Sequence, residues 1–168
     1  MKRFLWIIPM AAVVGLDQFT KWLIVSNFEL NESRAVIDGV LNFTYIRNDG
    51  AALGMLDDHR WIFMVTSTLA IVAGLVFMFV YYQKHYDPML YTSLSFIVGG
   101  GIGNMIDRTV LGYVVDFIDV RFIPFWKWIF NVADVFVCVG SALVVLYVLI
   151  SDIKQSRKNK TGDHSSQN

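Results

Sequence analysis

Four apolar runs, each close to the length needed to cross a bilayer, constrain this chain more than any other feature. A spanning helix needs about 20 mostly apolar residues, because it rises about 1.5 Å per residue through about 30 Å of hydrocarbon. Residues 4–25 qualify, interrupted only near their end by Asp17, Gln18 and Lys21. Residues 61–82 qualify without a single charge, 89–106 are shorter and glycine-rich, and 130–150 carry Asp134 near their start. Composition agrees: 55% of residues are apolar and 17% charged, against about 45–50% and about 25% in soluble domains. The first run is too long for a signal-peptide core and no small-x-small cleavage site follows it, so it reads as a permanent helix. The expectation is an all-α membrane protein, a four-helix transmembrane bundle formed by residues 1–150, with a polar, lysine-rich, disordered tail over 151–168.

Charge asymmetry orients the bundle. Lys2 and Arg3 precede the first run, Lys84 and His85 lie between the second and third, and Lys154, Arg157, Lys158 and Lys160 follow the fourth. All fall on one side of a four-pass topology, which the positive-inside rule assigns to the cytoplasm. Both termini are then cytoplasmic. Trp61, Trp126 and Trp128 sit at the outer boundary, where indoles favour the interface. Asp87-Pro88 reads as a cap and first turn for the third helix, and Pro9 as a kink in the first.

The two outer segments, 26–60 and 107–129, carry mixed charge. Residues 35–46 alternate apolar and polar side chains and break at Asp38-Gly39, which reads as a hairpin or small sheet. Residues 113–120 are also strand-like. The formal net charge of zero gives no basic field for nucleic acid. Cys138 is the one cysteine, unable to form an internal disulfide or a cysteine-cluster metal site, and reads as a small buried hydrophobe.

Depth is the informative property of the polar groups. Asp17 lies about 20 Å along its helix from Phe4, in the outer half. Lys21 follows at i+4 and can neutralise it. The third helix runs outward, so Asn104, Asp107 and Arg108 arrive at the same level, and Asn131 and Asp134 open the inward-running fourth helix there. Buried charges in a membrane face a protein interior or a water-filled cavity. One outer-leaflet cavity is therefore expected. Plainer readings stand beside it: Asp17–Lys21 as a structural ion pair, Asn131 as a helix cap, Arg108 as a headgroup anchor. Gly99, Gly100, Gly101 and Gly103 lack a following Gly-Lys-Ser/Thr and read as close helix packing rather than a phosphate loop. His59, His85 and His164 are too scattered for a metal site or triad. Asp134 is the hardest to explain away, being in an apolar helix with no Lys or Arg within four residues.

These residues also form motifs. Asp17-Gln18-x-x-Lys21, Asn48-Asp49-Gly50-Ala51-Ala52-Leu53-Gly54, Gly103-Asn104-x-x-Asp107-Arg108, Val115-Asp116-Phe117 and Asn131-x-Ala133-Asp134 occur in that order. Together they resemble the lipoprotein signal peptidase (signal peptidase II) family over nearly the whole chain. One departure is Val135, where the family commonly has Ser.

The resemblance implies an intramembrane aspartic endopeptidase of the bacterial cytoplasmic membrane, with Asp116 and Asp134 as the catalytic dyad near the outer leaflet. It implies a small extracytoplasmic β-cradle beside the bundle, with 48–58 as a lid and Gly50 and Gly54 as its hinges. The implied substrate is a diacylglyceryl-modified prolipoprotein, cut just before its lipidated cysteine. Membrane lipids and cyclic-peptide inhibitors of the globomycin type are the other implied partners, and no metal or organic cofactor is required. Asn48, Asn104 and Arg108 would hold substrate backbone or lipid carbonyls. Asn131 and Asp107 would orient the dyad and Arg108, and Asp17 with Lys21 would stabilise the core. The competing expectation is a proton-coupled small membrane transporter, since intramembrane carboxylates also build proton relays. A relay needs carboxylates at graded depths, whereas these cluster at one. A scaffold using the glycine face and outer loops is a further alternative, and it leaves Asp134 without a role.

Overall fold

The computed structural model describes residues 4–50, 60–82, 87–123 and 128–165. Four helices, α1 (Ile7–Asn27), α2 (Arg60–Tyr82), α3 (Pro88–Val110) and α4 (Val132–Ser165), combine with four strands, β1 (Ser33–Ile37), β2 (Leu41–Asn48), β3 (Val114–Val120) and β4 (Ile129–Phe130). Among the described residues, α1, α3 and residues 132–156 of α4 are long and apolar enough to cross a bilayer, and α2 carries a shorter apolar stretch, Met64–Val80. Their outward faces remain apolar: Leu16, Phe19 and Trp22 on α1, Val65, Leu69 and Val76 on α2, and Val145 and Leu149 on α4 are all exposed. Water would not tolerate that much contiguous apolar surface. Lipid does.

The central helix is α3, which packs against α1, α2 and α4. Its glycines make this possible. A Cβ at Gly100 would meet the Ala133 carbonyl oxygen of α4 at 2.5 Å, and one at Gly103 would meet Asp17 Oδ2 of α1 at 2.5 Å. Both are closer than side-chain carbons approach, so α3 meets its two neighbours there through bare backbone, as small-residue packing requires. Near the N-terminal end of α1, Trp6, Met78, Tyr91 and Val98 tie α1, α2 and α3 together. Tyr91 donates to the Met78 carbonyl at 3.1 Å and Ser95 to the Trp6 carbonyl at 2.8 Å.

The strands form one antiparallel sheet in the order β1-β2-β3-β4. The expected Asp38-Gly39 break is the β1–β2 turn, with Gly39 at φ 71°. Ile24, Tyr45, Val115 and Phe117 form a second core, with Phe28 and Val132 packed on it. This core fixes the sheet to the C-terminal end of α1 and the N-terminal end of α4.

Several details depart from expectation. Helix α3 runs past 106 to Val110, because it ends only where Gly112, at φ 84°, lets the chain turn. Both Leu111 and Gly112 N–H groups then donate to the Asp107 carbonyl. Phe130 is in β4 rather than α4, paired with Ile118. Pro9 sits in the first turn of α1, where no backbone bond is lost, so it is a helix start and not a kink. Asp87 caps α3 as expected, accepting from Met89 and Leu90 N–H. Cys138 is exposed on α4 rather than buried: its apolar surroundings are those of a lipid-facing surface. Finally, α4 continues to Ser165 in place of the expected disordered tail over 151–168. Residues 151–161 contain neither Pro nor Gly, and extending an existing helix needs no new nucleus. Residues 51–59, 83–86 and 124–127 lie outside the described residues, and with them the expected lid beyond Gly50, Lys84, His85 and Trp126.

Candidate active site

The site is built around the first turn of α4. A helix N-terminus presents N–H groups with no partner in the helix. Here three are taken by side chains. Asn131 Oδ1 accepts from Asp134 N–H at 3.0 Å, and Asp134 Oδ2 accepts from Asn131 N–H at 3.2 Å. This reciprocal cap is a variant of the capping box. It is the cap expected of Asn131, and it also fixes Asp134. Asp17 Oδ1, from α1, accepts from Ala133 N–H at 2.9 Å.

Strand β3 brings the second carboxylate. Asp116 is 1% exposed, and both of its oxygens are held. Asn131 Nδ2 donates to Oδ1 at 2.7 Å, and Asn48 Nδ2, from the paired strand β2, donates to Oδ2 at 2.8 Å. Asn48 is itself oriented, because its Oδ1 accepts from Gly50 N–H at 2.9 Å. Burial pushes the Asp116 carboxyl up to about 6. The Asn48 donor opposes that rise, and the neighbouring Asp134 charge adds to it.

Behind the two carboxylates lies a charge cluster. Lys21 Nζ sits 2.9 Å from Asp17 Oδ2, 3.0 Å from Asp107 Oδ2 and 2.9 Å from Asn104 Oδ1. All three ammonium donors are thereby satisfied, as a buried lysine requires. Asp107 Oδ2 also accepts from Val115 N–H at 3.0 Å, which holds the backbone just before Asp116. Asn104 joins the cluster to the site: its Oδ1 accepts from Lys21 and from Asn131 Nδ2, and its Nδ2 donates to Asp134 Oδ1 at 2.8 Å.

A cavity of about 320 Å³ opens beside Asp134. Its polar end is Asn104, Arg108 and Asp134; its apolar end includes Ile71, Ile97 and Val137, with Ser67 on α2. Arg108 has no ion-pair partner among the described residues and reaches only its own helix, 3.5 Å from the Asn104 carbonyl.

The chain matches the family model of signal peptidase (SPase) II over residues 9–150. It belongs to the signal peptidase II family. A lipoprotein signal peptidase of Clostridioides difficile (strain 630) is 38% identical over 152 residues, covering 89% of this chain and 98% of that protein. One of Streptococcus thermophilus (strain CNRZ 1066) is 44% identical over 141 residues, covering 83% and 90%. A bacterial membrane enzyme solved by the in meso method aligns with a TM-score of 0.78 at 33% identity, covering 86% of this chain and 92% of that one. The proton-coupled transporter alternative finds no support in these relatives.

Signal peptidase II membership accounts for the motif order, and the fold shows what the motifs bring together. Asp116, Asp134, Asn131, Asn104 and Asn48 form one hydrogen-bonded set, with Gly50 behind Asn48. Asp17, Lys21 and Asp107 form a second set, joined to the first through Asn104. One expected relation differs. Asp107 does not orient Arg108: at i+1 the two side chains diverge around the helix, and Asp107 turns inward to Lys21 and β3. Two residues were missed. Gln18 Nε2 donates to Asp107 Oδ1 at 2.9 Å and to the Gly103 carbonyl at 3.1 Å, and its place beside Asp17 in the first motif was the available signal. Ser67 offered none, lying in the uncharged run 61–82 with nothing to mark its face. Val135, where the family commonly carries a hydroxyl, is exposed in the first turn of α4.

Proposed function

We propose that Asp116 and Asp134 are the catalytic dyad of an aspartic endopeptidase that removes the signal peptide from diacylglyceryl-modified prolipoproteins, cutting before the lipidated cysteine. One observation carries this reading: Asn131 grips both carboxylates at once, donating to Asp116 Oδ1 at 2.7 Å while pairing reciprocally with Asp134. Two carboxylates held side by side do not both ionise cheaply, so they share a proton and titrate as a pair. The ionised member takes a proton from water, and the hydroxide attacks the scissile carbonyl. The protonated member donates to that carbonyl oxygen. As the tetrahedral intermediate collapses, the C–N bond breaks and the amine leaves with a proton from the dyad. Arg108, with no carboxylate partner among the described residues and lining the cavity, is placed to hold substrate or lipid carbonyls, and the apolar end of the cavity suits the signal helix or a globomycin-type cyclic peptide.

In the bilayer, α2 is the fourth span of a four-helix bundle, both termini face the cytoplasm, and the sheet is an extracytoplasmic cradle that sets the dyad at outer-leaflet depth. The basic residues flanking the spans support this orientation. The test is product identity. Purified protein given a lipidated prolipoprotein should release a mature chain beginning with the lipidated cysteine, as read by mass spectrometry. Cleavage elsewhere, or equal cleavage of the unlipidated precursor, contradicts the reading.

A further inference from the structure

The charge cluster does more than neutralise itself. Lys21 is 3% exposed, and one of its three donors goes to an amide rather than to a carboxylate. That amide is Asn104, and its orientation matters. With Oδ1 toward Lys21 and Asn131 Nδ2, Nδ2 faces Asp134 Oδ1 at 2.8 Å. Turned over, the Asn104 NH2 would face two donors, and its oxygen would face a carboxylate. Of the two groups that prevent this, the ammonium makes the stronger, charge-assisted bond. Asn131 Nδ2 divides itself between Asn104 and Asp116.

Building on the proposed dyad, we propose that Lys21 is a positioning residue for catalysis: by locking the Asn104 amide it keeps a hydrogen-bond donor on Asp134 Oδ1. The donor fixes the Asp134 rotamer toward Asp116. Asp17 and Asp107 hold the ammonium in place from α1 and α3. Among the described residues, the charged groups facing Asp134 are Asp116 from β3, Arg108 from α3 and, through Asn104, Lys21 from α1; α2 contributes the uncharged Ser67. No neighbouring residue of α4 within four positions is basic.

The test separates positioning from folding. Lys21→Met alone strands two buried carboxylates, so it is paired with Asp17→Asn, which conserves the net charge of the cluster. Cleavage of a lipidated prolipoprotein by the folded fraction is followed against substrate concentration. We expect kcat to fall about 10- to 100-fold, as for one lost hydrogen bond to a charged group, with KM within about twofold of the parent. Asn104→Ala, which leaves Lys21 with both carboxylates, should lower kcat in the same way. A kcat per folded molecule equal to the parent's in either variant, or a loss carried by KM alone, overturns the proposal. Failure of the underlying dyad reading looks different: an Asp134→Asn protein would itself remain active.

Discussion

Lys21 and Arg34 each meet carboxylates, and the two places could hardly differ more in consequence. Arg34 Nε lies 2.7 Å from Glu32 Oε1 on the outer side of the hairpin, with side chains 53% and 31% exposed. The bond to Arg34 holds the Glu32 carboxyl below the usual range, yet water and salt screen both partners, and such pairs contribute little to stability. Lys21 lies between Asp17 and Asp107 with side chains at most 4% exposed. There the medium is poor in water, each charge has been stripped of its hydration, and the pairing must be complete for the cluster to exist at all. The exposed pair decorates the sheet. The buried one joins α1, α3, β3 and, through Asn104, α4.

The contrast can be broken or sharpened by substitution. Lys21→Met should have the largest effect on stability, about 3–5 kcal/mol as for a buried pair that loses one partner, seen as a large fall in the thermal midpoint in detergent. Gly103→Val comes next. The added side chain enters the space of Asp17 Oδ2, and overpacking of about 1–3 kcal/mol should lower the midpoint and the cleavage rate together. Asn48→Ala should leave the midpoint close to the parent and act on pH instead. Asn48 donates to the ionised form of Asp116 and so opposes its rise to about 6. Losing that donor raises the Asp116 pKa further, and both limbs of the cleavage profile should move to higher pH; a downward move would contradict the assignment. Arg34→Ala should be the mildest, with no measurable shift of the midpoint at moderate salt. A shift as large as that of Lys21→Met would erase the distinction between the two sites.

Much of the site was legible in the sequence because membranes make polar residues conspicuous. Asp17, Lys21, Asn104, Asp107, Asn131 and Asp134 stood out against apolar helices, and counting residues along each helix placed them at one depth. The β1–β2 hairpin was legible from alternation and Asp38-Gly39. What could not be read were relations that depend on where a helix stops. Four residues of extra α3 and a glycine at 112 decide that Asp107 faces Lys21 and the Val115 N–H instead of Arg108. The capping of α4 by Asp17, across 116 positions of sequence, is likewise a product of tertiary packing. Cys138 misled because apolar neighbours signal lipid as readily as protein interior. Residues 151–165 misled because polar composition does not stop a helix that is already formed.

The central claim is that Asp116 and Asp134 work as one unit. It is tested most directly by measuring cleavage of a lipidated prolipoprotein by Asp116→Asn and by Asp134→Asn, each verified as folded by its thermal midpoint. The account predicts a loss on the order of 10³-fold or more in both. Cleavage by either folded variant at the parent rate would contradict it.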